Sequence, residues 1–333
     1  MTTNVSPAYR MAEQKYRQAS TPEEELEGLQ EMLSTLPKHK GTEKLQADLK
    51  SRISKTRQEV QQSAGQPRKK PFFHVEKGGA GQVALVGPPN AGKSRLLAAL
   101  SHAEPEVADY PFTTQLPMPG MMEYLDVQVQ LVDLPAVQRD VSEPWVLGLA
   151  RNADLVLLLL DAQSDDVLSE TEELLGFLAE KGIELVPPSA ESSFPARPAL
   201  LVATKVDTPH AEENLEILQE FLPDLLETHL GCTLPLLPVS AENGFNLHIL
   251  QQQIFEALHV IRVYTKAPHK PAERTSPYVL PIGATVEDAA RAVHKDFVES
   301  LKFARIWGEE AYDGQMVGRE HVLHDRDLIE LHV

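Results

Sequence analysis

The stretch GPPNAGKS, residues 87–94, constrains the fold of this chain more than any other. It fits G-x-x-x-x-G-K-[ST] at every defined position, follows the apolar run VALV and precedes RLLAALS, which has helical spacing. Such a loop turns successive backbone N–H groups onto phosphate oxygens at the positive end of a helix. The spacing therefore predicts strand, phosphate loop and helix. Lys93 is placed to reach β- and γ-phosphates and the Ser94 hydroxyl to bind Mg2+. Gly87, Pro88, Pro89, Asn90, Ala91, Gly92 and Arg95 complete the expected nucleotide contact. A chance Gly-rich turn is the bland alternative, and the flanking strand and helix argue against it.

Downstream, VQVQLVD, LVLLLLD, PALLVATKVD and LPLLPVS are short apolar runs separated by helical segments. That alternation predicts parallel βαβ units in a doubly wound α/β sheet, whose ligands gather at the carboxyl ends of the strands. With 333 residues, the chain has room for more than this one fold. We expect a helical N-terminal region and linker over 1–79, the nucleotide domain over 80–260 and a small domain over 261–333. In the first, TEKLQADLKSRISKTRQEV carries Leu45, Leu49 and Ile53 at four-residue steps behind a Thr42 cap. PKHKG reads as the turn of a helical hairpin, and QQSAGQPRKKP as a linker. In the last, SPYVLPIGATVEDAARAVHKDF reads strand, turn, helix, with a Thr285–Asp288 capping box. Val286, Ala289, Ala290, Val293 and Phe297 would share one apolar face, and FARIWGEEA and DLIELHV add two strands, suggesting a β-grasp α+β domain.

The base is chosen by other residues. ATKVD closes a strand, so Asp207 is offered as acceptor to the N1–H and 2-amino group of guanine. Facing adenine, which lacks that donor pair, the carboxylate would be left unsatisfied. Lys205 would lie along base and ribose, and Thr204 would tie the segment to the phosphate loop. Ser240, Ala241 and Glu242, in SAEN, would offer backbone donors to the guanine carbonyl. Each short motif is weak alone; their order and strand-end placement favour guanine over adenine. Asp133, ending VQVQLVD, is placed to hold the metal through water, and a threonine of DYPFTTQLP, 109–117, to bind it directly.

Charge and composition exclude several classes. The net charge of −18 is concentrated in residues 82–260, which hold 7 Lys/Arg against 27 Asp/Glu. So acidic a body repels nucleic-acid phosphates, although residues 38–70, with ten bases and three acids, form a basic arm able to touch RNA or an acidic patch. A solvated helical face would explain the arm equally well. The longest apolar run, LVLLLL, is too short to span a bilayer; one cysteine and an N-terminus without an apolar stretch suit a cytoplasmic protein.

These motifs resemble the Obg-related GTPases, and most of all their developmentally regulated GTP-binding branch. YPFTTQLPMPG is similar to that group's switch I, which implies Thr114 as the Mg2+-binding threonine. The segment from IRVYTKAPHKPAERTSPYVLP to VGREHVLHDRDLIELHV resembles the TGS domain, a β-grasp module, and PKHKGTEKLQ the family's basic N-terminal region. The resemblance implies a slow GTP-to-GDP switch, monomeric, acting on the ribosome or RNA through the TGS domain and basic arm. It also implies a role for Asn90 in holding a K+ ion against the phosphates, with Lys93, Asn90 and Thr114 as the catalytic set; Asn90 as a simple turn stabiliser is the competing reading. The chain departs from the pattern in several ways: it lacks the small domain that eukaryotic members insert, Thr204 replaces the usual Asn of the guanine motif, and DLPA replaces DxPG so that Ala136 stands for glycine. The Gly-rich stretch that normally follows is missing, since VQRDVSEPWVLGLA has the one glycine Gly148, which implies a shorter and stiffer switch II. Val137 falls where many GTPases keep a water-positioning glutamine. These departures leave open a guanine-nucleotide-binding scaffold that no longer cycles; an ATPase is a third reading, against which Asp207 argues.

Overall fold

A run of five residues buried on both faces, β1 (Gln82–Val86), sits at the middle of the nucleotide domain in this computed structural model. The described residues are 75–101, 116–139, 142–189, 196–267 and 276–332, with Leu29, 32–35 and Ile53 before them. The chain divides into two units, 1–72 and 73–333. In the first, the described residues are helical; the expected Thr42 cap, PKHKG turn and linker lie outside them.

The second unit follows β1 with α1 (Lys93–Leu100), then the hairpin of β2 (Met118–Tyr124) and β3 (Val127–Asp133). Next come α2 (Pro144–Asn152), β4 (Leu155–Asp161), α3 (Val167–Glu180), β5 (Leu185–Val186) and β6 (Arg197–Thr204). The layer closes with α4 (Ala211–Leu230), β7 (Leu236–Pro238) and α5 (Leu247–Ala257). The seven-stranded sheet runs β2-β3-β1-β4-β6, with β5 and β7 both pairing with β6. Every pairing is parallel except β2 with β3.

Burial explains the apolar runs. Val83 and Leu85 face Leu96, Leu100 and Ile254 on one side of the sheet, while Ala84 and Val86 face Leu174, Leu178 and Leu218 on the other. The run LVLLLL is split the same way, with Leu155, Leu157 and Leu159 in one cluster and Val156, Leu158 and Leu160 in the other. A strand covered on both faces needs no polar alternation, as parallel central strands do not.

The antiparallel β2 adds to the expected parallel units. MPGMMEY has neither a β-branched run nor an Asn-Gly turn, so it carries little strand signal. The turn is made instead by Leu125, which adopts φ +54°.

The TGS segment forms a five-stranded sheet, β11-β10-β12-β8-β9, from β8 (Val260–Thr265), β9 (Tyr278–Pro281), β10 (Phe303–Gly308), β11 (Ala311–Val317) and β12 (Leu328–His332). Its helix α6 (Val286–Val293) opens with the expected capping box: Thr285 Oγ1 accepts from Asp288 N, and Asp288 Oδ2 accepts from Thr285 N at 3.0 Å. Val286, Ala289 and Ala290 are buried on the sheet. The helix ends at His294 and restarts as α7 (Lys295–Ser300), so Phe297 reaches the same core from a second helix.

One junction within this unit was not expected. Arg262 of β8 donates to both Asp325 oxygens, at 3.1 and 2.6 Å, and to Asp126 Oδ1 at 2.8 Å. The Tyr264 hydroxyl donates to the other Asp126 oxygen. Asp126 lies at the tip of the β2–β3 hairpin, so the first strand of this sheet grips the turn between β2 and β3.

Candidate nucleotide-binding site

The loop between β1 and α1 is shaped by close approach and left-handed backbone. A Cβ on Gly87 would lie 2.7 Å from Leu159 O, so only glycine lets the loop pass β4. Asn90 and Gly92 adopt φ +61° and +79°, conformations that asparagine and glycine tolerate best. Gly92 is the N-cap of α1, whose first-turn N–H groups face the loop.

Lys93 folds back across this loop and donates to Gly87 O at 3.0 Å and Pro88 O at 2.7 Å. Burial pushes its pKa down, while the charge of Asp133 opposes the shift. Asp133, the last residue of β3, has its carboxyl pushed up by burial, against the Ser94 hydrogen bond and the Lys93 charge. Ser94 Oγ donates to Asp133 Oδ2, and Asp133 Oδ1 is buried without a hydrogen-bond partner among the described residues. An orphaned buried carboxylate oxygen beside a serine hydroxyl suits a hard cation that prefers oxygen ligands and keeps its waters, so the residues fit Mg2+. Among the described residues no cluster of three His, Cys, Asp or Glu forms a protein-only metal cage. Thr114 lies outside the described residues.

The guanine-type motif sits beside this loop. Thr204 Oγ1 lies 3.0 Å from both Ala91 O and Leu160 O, so its single proton ties β6 to the phosphate loop and to β4. Lys205 stands at φ +59° and its ammonium meets Asp161 Oδ2 at 2.5 Å. Exposed Asp207 accepts at Oδ1 from buried Ser240 Oγ, 2.5 Å away, and Ser240 Oγ accepts from Glu242 N and Asn243 N at 3.2 and 3.3 Å. Ser240 thus braces the Asp207 carboxylate from below.

Two cavities adjoin. One of about 660 Å³ runs along Pro89–Arg95 to Asp161, Glu170 and Lys205. The other, about 270 Å³, lies among Gly92, Thr204, Lys205, Asp207, Ala241 and Glu242. Lys205 lines both. Arg95 lines both as well, and its guanidinium pairs with Glu242. Asp161 is a lining residue that the sequence did not single out, like Gln163 and Glu170; its signal was a long apolar strand ending in a carboxylate.

The segment after β3 differs from a water-positioning loop. Val137 is buried in the core cluster and its backbone N–H donates to Gly87 O at 3.0 Å. Ala136 is not among the residues with positive φ. Arg139 turns away to Glu180 and lies over the Phe177 ring at 5.9 Å.

Comparison with known proteins agrees with this architecture. Residues 82–187 match the family described as 50S ribosome-binding GTPase, and residues 261–333 match the TGS domain. An uncharacterized GTP-binding protein of Methanocaldococcus jannaschii is 30% identical over 362 aligned residues, covering 93% of this chain and 92% of its own. That alignment is longer than this chain of 333 residues, so the relative carries segments absent here. The developmentally-regulated GTP-binding protein 1 of Xenopus laevis is 28% identical over 334 residues, covering 85% of this chain and 91% of its own. The YchF GTPase of Schizosaccharomyces pombe shares the fold, with a TM-score of 0.50 at 15% identity over 78% of this chain and 100% of its own.

Proposed function

Because the chain belongs to the Obg-related GTPases, in the developmentally regulated GTP-binding branch that carries a TGS domain, we propose that it binds GTP and GDP across the two adjoining cavities and hydrolyses GTP slowly, as a switch acting on the ribosome or RNA. The observation that carries this reading is the tie between guanine motif and phosphate loop, made by the Thr204 hydroxyl, with Asp207 facing the smaller cavity. Asp207 is braced by Ser240, so its orientation is set before a base arrives. Preorganised acceptors of this kind discriminate a base that offers donors from one that does not.

In this reading Lys93 leaves the Gly87 and Pro88 carbonyls for phosphate oxygens, and its buried charge is matched by theirs. Ser94 and Thr114 would bind Mg2+ directly and Asp133 through water, and the ion would supply neutralisation of phosphate charge. Asn90, exposed on the rim of the phosphate cavity, is assigned a K+ ion. Val137 excludes a glutamine-type mechanism, since an apolar side chain buried in the core cannot orient water. Slow intrinsic turnover follows. The docking elements are the TGS domain and the basic arm at 38–70, with 1–79, 80–260 and 261–333 as domain limits. Among the described residues no helix is long and apolar enough to cross a membrane.

A scaffold that no longer cycles is the second reading, favoured by Ala136 and by the Val137 N–H fixed to Gly87 O. Phosphate release by the purified protein separates them: GTP against ATP, in sodium and potassium buffers, with and without ribosomes. Turnover of GTP alone supports the switch; tight GTP binding with no release under any condition supports the scaffold.

A further inference from the structure

Asp161 raises a problem that its surroundings answer. Its carboxylate is buried at the end of β4, in the wall of a cavity that the reading above fills with a polyphosphate. A lone anion there would repel the ligand, and burying it unpaired is costly. The anion is not alone. Oδ2 meets Lys205 Nζ at 2.5 Å, and Oδ1 accepts from Gln163 N at 2.9 Å, which fixes the carboxylate plane. Asp161 and Lys205 stand 44 residues apart in sequence but meet at the ends of adjacent strands, Asp161 pairing with Thr204, the residue before Lys205.

Lys205 needs such a partner. Left-handed φ at a residue with a side chain is strained, and surrounding contacts must hold it in place. That backbone sends the lysine stem between the two cavities and leaves Asp207, two residues on, facing the smaller one. Thr208 completes the turn by donating its hydroxyl to Lys205 O at 3.0 Å. With its ammonium held, the lysine presents a fixed aliphatic surface to sugar and base; released, it would swing into solvent.

We infer that Asp161 is a positioning residue for guanine-nucleotide binding, acting through Lys205 rather than on the nucleotide itself. The inference rests on the guanine reading of the site and adds to it a residue outside the recognised motifs.

The sign of one substitution separates this role from that of a bystander. Asp161→Asn keeps the size and the acceptor for Gln163 N–H but removes the charge that holds Lys205. Deleting a bystander anion beside a polyphosphate leaves GDP affinity unchanged or tightens it. Loss of the lysine anchor weakens it, by roughly tenfold, equal to about 1.4 kcal/mol. The test is fluorescent-GDP titration of the full chain as parent, Asp161→Asn, Lys205→Met and the double variant, with circular dichroism to verify folding. The expected result is weaker binding in each single variant and a double variant no weaker than Lys205→Met, because coupled residues are not additive. Unchanged or tighter binding in Asp161→Asn, or losses that multiply in the double variant, would overturn the inference. Should Asp161→Asn not fold, Asp161→Glu, which keeps the charge, serves in its place: affinity above that of Lys205→Met supports the anchor, and affinity equal to it overturns the anchor. A parent that binds ATP as well as GTP would remove the guanine reading, while the Asp161–Lys205 coupling would still be read with whichever nucleotide binds.

Discussion

Thr204 ends β6 beside the phosphate loop, and Thr204→Val asks what its hydroxyl contributes. The side chain is buried and its Oγ1 lies 3.0 Å from both Ala91 O and Leu160 O. Valine keeps the shape, so little cavity forms, but the only proton in reach of these two carbonyls from this side chain is lost. A net hydrogen bond is worth roughly 0.5–1.5 kcal/mol and a buried acceptor left unmatched costs about 1–3 kcal/mol. We expect the nucleotide-free protein to lose about 1–3 kcal/mol, a fall of several degrees in melting temperature. GDP affinity should drop as well, by roughly tenfold, since the loop carrying Ala91 and the motif carrying Asp207 are no longer held together. Thr204→Ser, which keeps the hydroxyl, should retain most of both. Calorimetric melting and GDP titration of the three proteins decide the matter. Parent-like melting and affinity in Thr204→Val would refute the role given to this hydroxyl.

Potassium should speed GTP hydrolysis by roughly tenfold over sodium at matched ionic strength, about 1.4 kcal/mol of barrier, and Asn90→Ala should erase that difference with little change in GDP affinity; identical rates in the two salts would leave Asn90 as a turn residue at φ +61°. A chain truncated to residues 80–262 should keep nucleotide binding but lose co-sedimentation with ribosomes, and undiminished co-sedimentation would contradict the docking role of the two flanking regions. The Arg262 junction should be acid-sensitive. Burial pushes the Asp126 and Asp325 carboxyls up, but hydrogen bonds to both from Arg262, and to Asp126 from Tyr264, more than offset it and leave both below the ordinary carboxylate value. Groups depressed in the folded state contribute stability above their unfolded pKa, near 4, and lose it as pH falls through the folded value. Melting temperature against pH from 6 to 3 should therefore fall less steeply in Asp126→Asn than in the parent, and parallel curves would contradict it.

The parts of this molecule that sequence made legible are local. GPPNAGKS needs only its neighbours to be read, because strand, left-handed turn and helix start within a dozen residues. The Thr285–Asp288 capping box is likewise a three-residue relation. The strand LVLLLLD was legible as a strand, but not the use of its last residue, since the partner of Asp161 comes 44 residues later. Arg262 and Asp126 are 136 residues apart, and nothing in either segment announces the other. Strands β2 and β11 were missed for a different reason: Met-Pro-Gly-Met and Asp-Gly-Gln interrupt the apolar alternation by which edge strands are recognised. Val137 is legible in the sequence as an apolar side chain, while its burial in the core depends on packing that only the fold supplies.

Base selectivity tests the central claim most directly. Titrating the full chain with GDP, GTP and ATP in a calorimeter, beside Asp207→Ala, measures whether the carboxylate braced by Ser240 chooses the base. The account predicts GTP and GDP binding with ATP far weaker, and a loss in Asp207→Ala on the order of 2–4 kcal/mol, roughly 30-fold or more for GTP. Equal affinities for GTP and ATP in the parent, or a GTP affinity indifferent to Asp207→Ala, would contradict it.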